Sequence, residues 1–445
     1  MTATYHMVGI KGSGMSALAQ LLQDMGHLVQ GEDGDTYYFT QAPLEQRGIP
    51  FYLFGEAPLV SGMKVIVSNA YGADHPAVAR CREAGLEVQW YHHFLGEFMS
   101  RFVSIAVTGS HGKTTTTGML SHVLSGVVPT SCLIGDGTGR GTPDARFFVF
   151  ESCEYKRHFL AYRPELAVIT NIDFDHPDYY ADLDDVRSAF EEMADRVGRK
   201  LIVCGDDPQV RMLKTDKELI HYGFQESNQL QAVNVRVENG GTVFDVYAYG
   251  KLLGHFTLPS FGRHNVLNAL AVIGVAVEQG LDLDKIRERL ATFPGVKRRF
   301  SEQEWRSNIL IDDYAHHPSE IRATLEAVRS KYPERKVVGV FQPHTFSRLE
   351  KLLEDFAVSL DEADDVYLCD IFGSAREQRG TVSIEHLRDR IPHSQLISEN
   401  SVSDLLGYED SVLVFMGAGD IGKYQTKLLE LGRGESAENT LQQPL

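Results

Sequence analysis

The segment Thr108-Gly109-Ser110-His111-Gly112-Lys113-Thr114-Thr115 joins an apolar run, VSIAV, to a helical pattern. Glycines at a strand-to-helix turn let backbone N–H groups face an anion, and the helix start adds its positive end. A lysine after the turn can reach β- and γ-phosphates, and the next threonine hydroxyl can hold Mg2+. Gly109, Ser110, His111, Gly112, Lys113, Thr114 and Thr115 therefore form the predicted nucleoside-triphosphate loop. Only two residues separate its glycines, where the common phosphate loop has about four. A hydroxyl-rich helix start with no ligand is the plainer reading, but packing alone does not call for Gly-Lys-Thr at such a turn.

A triphosphate brings Mg2+, an ion that prefers oxygen ligands. Glu151 directly follows the apolar run FFVF, and Asp173, Asp175 and His176 follow LAVITNI. Ligands of open parallel sheets bind beyond the carboxyl ends of strands, so these residues can converge with the loop on one edge. Taken alone, Glu151 reads equally well as a surface carboxylate. A neutral His176 offers a ring nitrogen to a second divalent ion.

A second glycine turn, GIKGSGMSA, follows the first apolar run. Gly12, Gly14 and Ala17 fit the G-x-G-x-x-A variant of the dinucleotide fingerprint, and Glu32-Asp33 ends the next strand where a ribose-contacting acid would sit. These residues suit a dehydrogenase. They suit a UDP-sugar equally well, because a pyrophosphate cradle does not distinguish the nucleoside.

Other motifs have plainer alternatives. Arg298-Arg299 reads as a phosphate contact or a solvated basic pair, and His316-His317 as site residues or the cap of a helix from Pro318. Gly417, Gly419 and Gly422 form another G-x-G-x-x-G, read as strand-to-helix packing. The cysteines read as small core residues. Cys153, two residues past Glu151, is close enough in sequence for its modification to inhibit.

The elements that must position these groups alternate strand and helix. HMVGI, HLVQGED, KVIVSN and LEVQWY read as strands of a first α/β unit with a helix from Ser13 to Met25. A second unit begins near Phe102. It contains the phosphate loop and, between about Gln231 and Pro259, a period-two pattern with NGG and YGK turns that predicts an antiparallel meander. A helix from His264 to Glu278 follows. A third unit starts near Lys297, with strands in NILIDDYAHH, VVGVFQPH, DDVYLCDI and SVLVFMGAG and a helix from Ser319 to Lys331. The expected divisions are 1–100, 101–296 and 297–445, the last with a disordered polar tail from about Gly432.

Composition bounds the function. A chain of 445 residues suits two or three domains. A formal net charge of −18 argues against a nucleic-acid surface while leaving room for a local basic pocket. Five cysteines without a CxxC pair argue against a disulfide framework or zinc ribbon and fit a reducing cytoplasm. MTATYHMVGIKGSG has no basic region followed by an apolar run, so no secretory signal is expected. No apolar stretch is long enough for a membrane span, so no membrane insertion is expected.

Seven segments, VGIKGSGMSALA, VTGSHGKTTTT, TNIDFDHPDYY, FGRHNVLNALA, GVKRRF, DDYAHHPSE and FQPHTFSR, occur in the order seen in the Mur ligases of peptidoglycan synthesis. The chain resembles that family from about His6 to Lys423, and within it the alanine-adding members. The resemblance implies a Rossmann-like N-terminal domain for the UDP substrate, a central P-loop ATPase-like domain, and a Rossmann-like C-terminal domain for the amino acid. It implies that Gly12, Gly14, Asp33, Ser68 and Asn69 face UDP-N-acetylmuramate. Lys113 and Thr114 match the ATP-phosphate and Mg2+ residues, and Glu151 and His176 the metal ligands, two ions being expected. Asn265 and Asn268 match adenine contacts, Arg298 or Arg299 lies near the transferred phosphate, and Asp313 lies near the ribose. Tyr314, His316 and Arg348 match the surroundings of L-alanine.

The implied reaction activates the substrate carboxylate as an acyl phosphate, which the alanine amine then attacks, with His316 a candidate base. Lys113, Mg2+ and an arginine would gather positive charge between two anionic reactants. A monomer or weak homodimer is expected. Two departures from the family pattern stand out. Later-acting members carry a carbamylated lysine after the metal-binding histidine, where this chain has no lysine between Lys156 and Lys200 and Glu191 lies near the expected place. Thr345 stands where many alanine-adding members have a second arginine, leaving the carboxylate clamp to Arg348 and His316. A tripeptide-recycling Mur ligase, a folate polyglutamate synthetase, a dehydrogenase and a non-catalytic UDP-sugar sensor are the competing readings. The dehydrogenase leaves Lys113, Glu151 and His176 without a task.

Overall fold

The computed structural model describes residues 2–373, 377 and 379–441. The apolar runs form three sheets. In the first, five parallel strands lie in the order Phe51–Leu53, Leu28–Asp33, Thr4–Val8, Lys64–Val67 and Glu87–Trp90. The chain winds outward from Thr4–Val8 in one direction, then returns and continues in the other. The crevice this reversal leaves opens between the carboxyl ends of Thr4–Val8 and Lys64–Val67, where the Gly9 turn and Ser68 lie.

The second sheet has ten strands. Its parallel part runs Glu218–Gly223, Lys200–Cys204, Leu166–Ile169, Val103–Thr108, Phe147–Glu151 and Thr130–Leu133. The residues of Leu166–Ile169 are buried, as are those of Val103–Thr108 except Val103 at its start, as continuous apolar strands between two helical layers should be. The predicted meander is Leu230–Glu238, Gly241–Ala248 and Lys251–Leu258. It is continuous with the parallel part, joined through Tyr222↔Leu230 and Gly223↔Gln231. Helix Arg263–Glu278, apolar on most of its circumference, lies buried against this sheet.

The third sheet runs Ser301–Trp305, Asn308–Asp313, Ser411–Met416, Lys336–Phe341, Asp365–Leu368 and Ser394–Leu396, with only the first strand antiparallel. Helix Gly422–Leu441 runs into the polar segment from Gly432. Gly432 makes that path passable: a Cβ there would lie 2.8 Å from the Trp305 ring, and its carbonyl accepts from Arg306 Nη2 at 3.3 Å. Residues 442–445 lie outside the described residues.

The first two sheets meet where helix Ser13–Asp24 crosses the short strand Gly139–Arg140. Gln20 Nε2 donates to Gly137 O at 2.7 Å, and Gly141 N–H donates to Asp24 Oδ2 at 3.0 Å. A Cβ on Gly139 would stand 1.7 Å from the Ala17 carbonyl oxygen, which is backbone and cannot rotate away. Gly139→Ala should therefore lower stability by about 1–3 kcal/mol or more. Gly407→Ala, whose Cβ would meet nothing within 4 Å, should be near neutral. Thermal denaturation of both variants checks this, and equal melting temperatures would refute it.

Candidate active site

The strand order brings the chemistry together. Val103–Thr108, which leads into the phosphate loop, lies between Phe147–Glu151 and Leu166–Ile169. Glu151 therefore emerges on one side of the loop and Asn171–His176 on the other, all at carboxyl ends. The loop is stitched to its neighbour. Ser110 N–H donates to Asn171 O at 3.1 Å and His111 N–H to Asn171 Oδ1 at 2.8 Å, while Asp173 N–H donates to Ser110 Oγ at 2.8 Å. Gly109 has φ +134° and would place a Cβ 2.0 Å from Thr170 Oγ1, so no side chain fits there. Gly112, at φ +79°, opens helix Lys113–Ser125, whose first turn has no side-chain cap. Helices Leu183–Arg196 and Leu283–Leu290, by contrast, are capped by Asp182 and Asp282. Uncapped N–H groups at a helix start are donors left for an anion.

Lys113 Nζ turns back on the loop, donating to Gly109 O at 2.6 Å and Ser110 O at 2.9 Å, and pairs with Glu154 Oε2 at 3.0 Å. Thr114 Oγ1 donates to Glu151 Oε2 at 2.8 Å. Burial drives the Glu151 carboxyl upward despite the pull of Lys113, which marks an acid short of positive charge. His176, at φ +58°, sets Nε2 3.6 Å from Glu154 Oε1 and 3.7 Å from Asp175 Oδ2. Burial disfavours its charged form, yet Asp175, Cys153 and Glu154 raise it to about 10. Glu151, Thr114 and His176 thus sit on one edge, but the direct carboxylate neighbour of His176 and Lys113 is Glu154, which the sequence motifs do not single out. Its spacing in Glu151-Ser152-Cys153-Glu154, just past a strand end, is the one signal that points to it.

Below the loop lies a cavity of about 970 Å³. His111, Gly112, Thr115, Asn265, Asn268, Arg299 and Asp313 line it, with an apolar side formed by Tyr222, Phe261, Leu267 and Phe293. Asn268 braces the loop helix by accepting from Thr116 Oγ1 at 3.0 Å, and its Nδ2 donates to Asn265 Oδ1 at 3.3 Å. The Asp313 carboxylate accepts from Phe300 N–H and Ala315 N–H, each at 2.8 Å. Burial, against the nearby Arg299, raises it to about 6.

The third sheet closes over the loop. Glu320 lies 3.3 Å from Arg299 Nη1, 3.7 Å from His111 Nδ1 and 3.0 Å from His316 Nδ1. Ser319 Oγ donates to Asp173 Oδ2 at 2.7 Å. His317 caps helix Pro318–Lys331 by accepting from Ser319 N–H, so the capping alternative holds for this histidine. Arg298 donates to the Gly417 carbonyl at 2.9 Å and, with Arg299, stacks near the Tyr314 ring. Neither arginine is a solvated pair member, the side chains being 19% and 21% exposed. Arg348 is 3% exposed, and Nε and Nη2 both donate to Asp175 Oδ1, at 3.0 and 2.7 Å. Its carboxylate partner thus comes from the second sheet and not from Glu350 or Asp355, the acids near it in sequence. Glu191 accepts from Lys214 N–H at 3.1 Å and is not among the metal-edge contacts, so it stands in for no metal-edge lysine.

In the first sheet, Asp33 Oδ2 accepts from Lys11 N–H at 2.7 Å and so fixes the glycine turn. Gly9, at φ +82°, makes room for Tyr71 and Ser68, and Gly14 for the Tyr91 hydroxyl. Asn69 Oδ1 lies 2.6 Å from His92 Nδ1. Gly12 opens helix Ser13–Asp24, again without a side-chain cap. Tyr71 and Tyr91 have no sequence signature of their own and reach the site only by tertiary placement, while Glu320 ends the segment DDYAHHPSE but is not singled out within it.

Three family models match the chain: the Mur ligase family catalytic domain over residues 4–103, the Mur ligase middle domain over 107–276, and the Mur ligase glutamate ligase domain over 298–419. Among solved structures, it is similar to the UDP-N-acetylmuramate-alanine ligase MurC of Thermotoga maritima, at 28% identity and a TM-score of 0.81, covering 98% of this chain and 100% of that one. It is also similar to the UDP-N-acetylmuramate:L-alanyl-gamma-D-glutamyl-meso-diaminopimelate ligase of Neisseria meningitides, at 28% identity and a TM-score of 0.58, covering 67% of this chain and 100% of that one. MurF of Thermotoga maritima, solved in complex with ADP, shares the fold at 17% identity and a TM-score of 0.64, covering 92% and 95%.

His111 provides a test of how the third sheet docks on the loop. Burial disfavours its charge, but the hydrogen bond to Asp173 and the nearby Glu320 carboxylate raise it to about 9. A group raised in the folded state stabilises fully below its unfolded value of about 6.5 and loses that contribution as pH climbs through about 9. The melting temperature should therefore fall between pH 6.5 and 9 by more in the wild type than in His111→Gln. Parallel pH profiles for the two proteins would contradict this.

Proposed function

Because the chain belongs to the Mur ligase family, we propose that it joins L-alanine to the lactyl carboxylate of UDP-N-acetylmuramate at the expense of ATP, in peptidoglycan precursor synthesis. The observation that carries this reading is the strand order that puts Glu151, the Gly109–Lys113 turn and His176 on one edge, between the Gly12 turn and the third sheet. The similarity to MurC at 28% identity over nearly the whole of both chains supports the choice of substrates. The reading divides the chain at 1–100, 101–296 and 297–445, one unit for each of the UDP substrate, ATP and the amino acid.

The phosphates belong at the uncapped N–H groups after Gly112, where Lys113 can exchange its loop carbonyls for phosphate oxygens. The adenosine belongs in the cavity beside Asn265, Asn268 and Asp313. Thr114, Glu151 and His176 would hold Mg2+. The hydroxyl and carboxylate already touch, and burial outweighs the pull of Lys113 and Arg299 on the acid. When bound, the ion offsets repulsion between phosphate and carboxylate oxygens. The substrate carboxylate attacks the γ-phosphate, the bond to the β-phosphate breaks and ADP leaves, giving an acyl phosphate, with Lys113 and Arg299 stabilising the charge on the transferred group. The amine then attacks the acyl carbon and phosphate leaves. His316, held by Glu320 and the Tyr314 carbonyl, would take the amine proton. Burial keeps this imidazole below its ordinary value, which favours the neutral form able to accept a proton. Arg348 supplies the clamp for the amino-acid carboxylate, and its fork is held in place by Asp175.

The test is ADP release with UDP-N-acetylmuramate, ATP, Mg2+ and a panel of single amino acids, with the L-alanyl-γ-D-glutamyl-meso-diaminopimelate tripeptide included. L-alanine should be the best acceptor. Preference for the tripeptide would transfer the assignment to the recycling ligase. Lys113→Ala should lower turnover on the order of a hundred- to a thousand-fold while leaving the fold intact by circular dichroism. Near-normal ADP release by that variant would exclude the ATP site described above.

A further inference from the structure

The metal edge carries a thiol that the ligation chemistry does not use. Cys153 Sγ, a Glu154 carboxylate oxygen and a His176 ring nitrogen all lie within 4.8 Å of one another. Cys153 is exposed, Glu154 is 1% exposed, and the three residues come from the loop after Phe147–Glu151 and the loop after Leu166–Ile169. We propose that Cys153, Glu154 and His176 form a binding site for a thiophilic divalent cation of the Zn2+ class, separate in its donor set from the oxygen site of Thr114 and Glu151.

The argument is one of donor type and spacing. Tetrahedral Zn2+ takes sulfur at about 2.3 Å and nitrogen or oxygen at about 2.1 Å, so its ligand atoms stand about 3.4 Å apart. His176 Nε2 and Glu154 Oε1 are already 3.6 Å apart, and the thiol lies within the same small triangle. Mg2+ has little use for a thiolate, whereas sulfur and imidazole favour Zn2+. Three protein ligands leave the fourth position to water. The protons on the thiol and on the ligating ring nitrogen leave to solvent as the ion binds. Lys113 Nζ also touches both Glu154 oxygens, at 3.2 and 3.0 Å, but it has the Gly109 and Ser110 carbonyls to retain it when the carboxylate turns to a metal.

Another thiol cluster makes the contrast. His6, Glu32 and Cys81 are equally close, but all are buried, and the Glu32 oxygens are already engaged by His6, Gly55 N–H and Arg80. No ligand atom of that cluster is exposed to an incoming ion, unlike the Cys153 thiol, and the cluster reads as structural.

The consequence is a control by metal identity. Zn2+ seated on Cys153 withdraws His176 from the site proposed for Mg2+, so zinc should inhibit this chain and a chelator should relieve it. The site itself does not depend on the ligase reading, and its test needs neither ATP nor the UDP-sugar. The chelator-treated full chain is titrated with Co2+, followed by Zn2+ competition. The wild type should show a near-ultraviolet thiolate-to-cobalt charge-transfer band that one equivalent of Zn2+ displaces. Cys153→Ser should abolish the band and weaken zinc on the order of 100-fold, the upper end of what even an outer-shell partner contributes. Cys81→Ser should keep the band. Absence of the band in the wild type, its survival in Cys153→Ser, or its loss only in Cys81→Ser each overturns the assignment.

Discussion

The segment Asn171–His176 is bonded on two sides, and the site depends on that double attachment. Toward the phosphate loop, Asn171 and Asp173 accept from or donate to Ser110 and His111. Toward the third sheet, Asp173 takes Ser319, the Phe174 carbonyl lies 3.3 Å from His317 Nε2, and Asp175 takes the Arg348 fork. A loop whose backbone and carboxylates are so fully committed has little freedom of its own. Its position fixes His176 relative to Lys113, and it also fixes how the third sheet sits on the second. Movement of the third sheet must break these bonds together, so closure is expected to be cooperative rather than gradual.

The same bonds explain how a strongly acidic chain can present a cationic cleft. The net charge is −18, yet Lys113, Arg298, Arg299 and Arg348 all converge on the cleft. Each faces an internal carboxylate: Glu154, Asp312, Glu320 and Asp175 respectively. Buried cations without such partners would be costly, and the pairs hold the side chains in place until an anionic ligand competes for them. Anionic substrates thus exchange partners with resident acids instead of meeting bare charge. This exchange selects for ligands that offer several well-placed oxygens at once.

The glycines divide by a similar logic. Gly109 and Gly112 are required by backbone angle and by crowding from Thr170 and Asn268. Gly139 and Gly432 are required by contacts between segments distant in sequence, Gly139 against Ala17 and Gly432 against Trp305. Glycines of the Gly109 kind announce themselves in a motif. Those of the Gly139 kind resemble any loop or helix glycine until the partner surface is known.

The sequence alone determined much of this protein. Alternation of apolar runs and helical stretches is a local property, so the central strands of the three sheets, the meander and the helix beginning at Arg263 are legible in the residue order, while short or edge strands such as Phe51–Leu53, Gly139–Arg140, Ser301–Trp305 and Ser394–Leu396 are not. Gly-Lys-Thr between a strand and a helix dictates its own turn, so the phosphate loop is legible too. Tertiary structure decided what local pattern does not encode. It selected Glu154 as the neighbour of Lys113 and His176, brought Glu320 across to His111, and paired Arg348 with Asp175 rather than with an acid on its own helix. It also set the last helix against Trp305 at Gly432. In each case the deciding quantity is a distance between residues far apart in the chain, set by strand order and sheet packing, which short-range spacing does not contain.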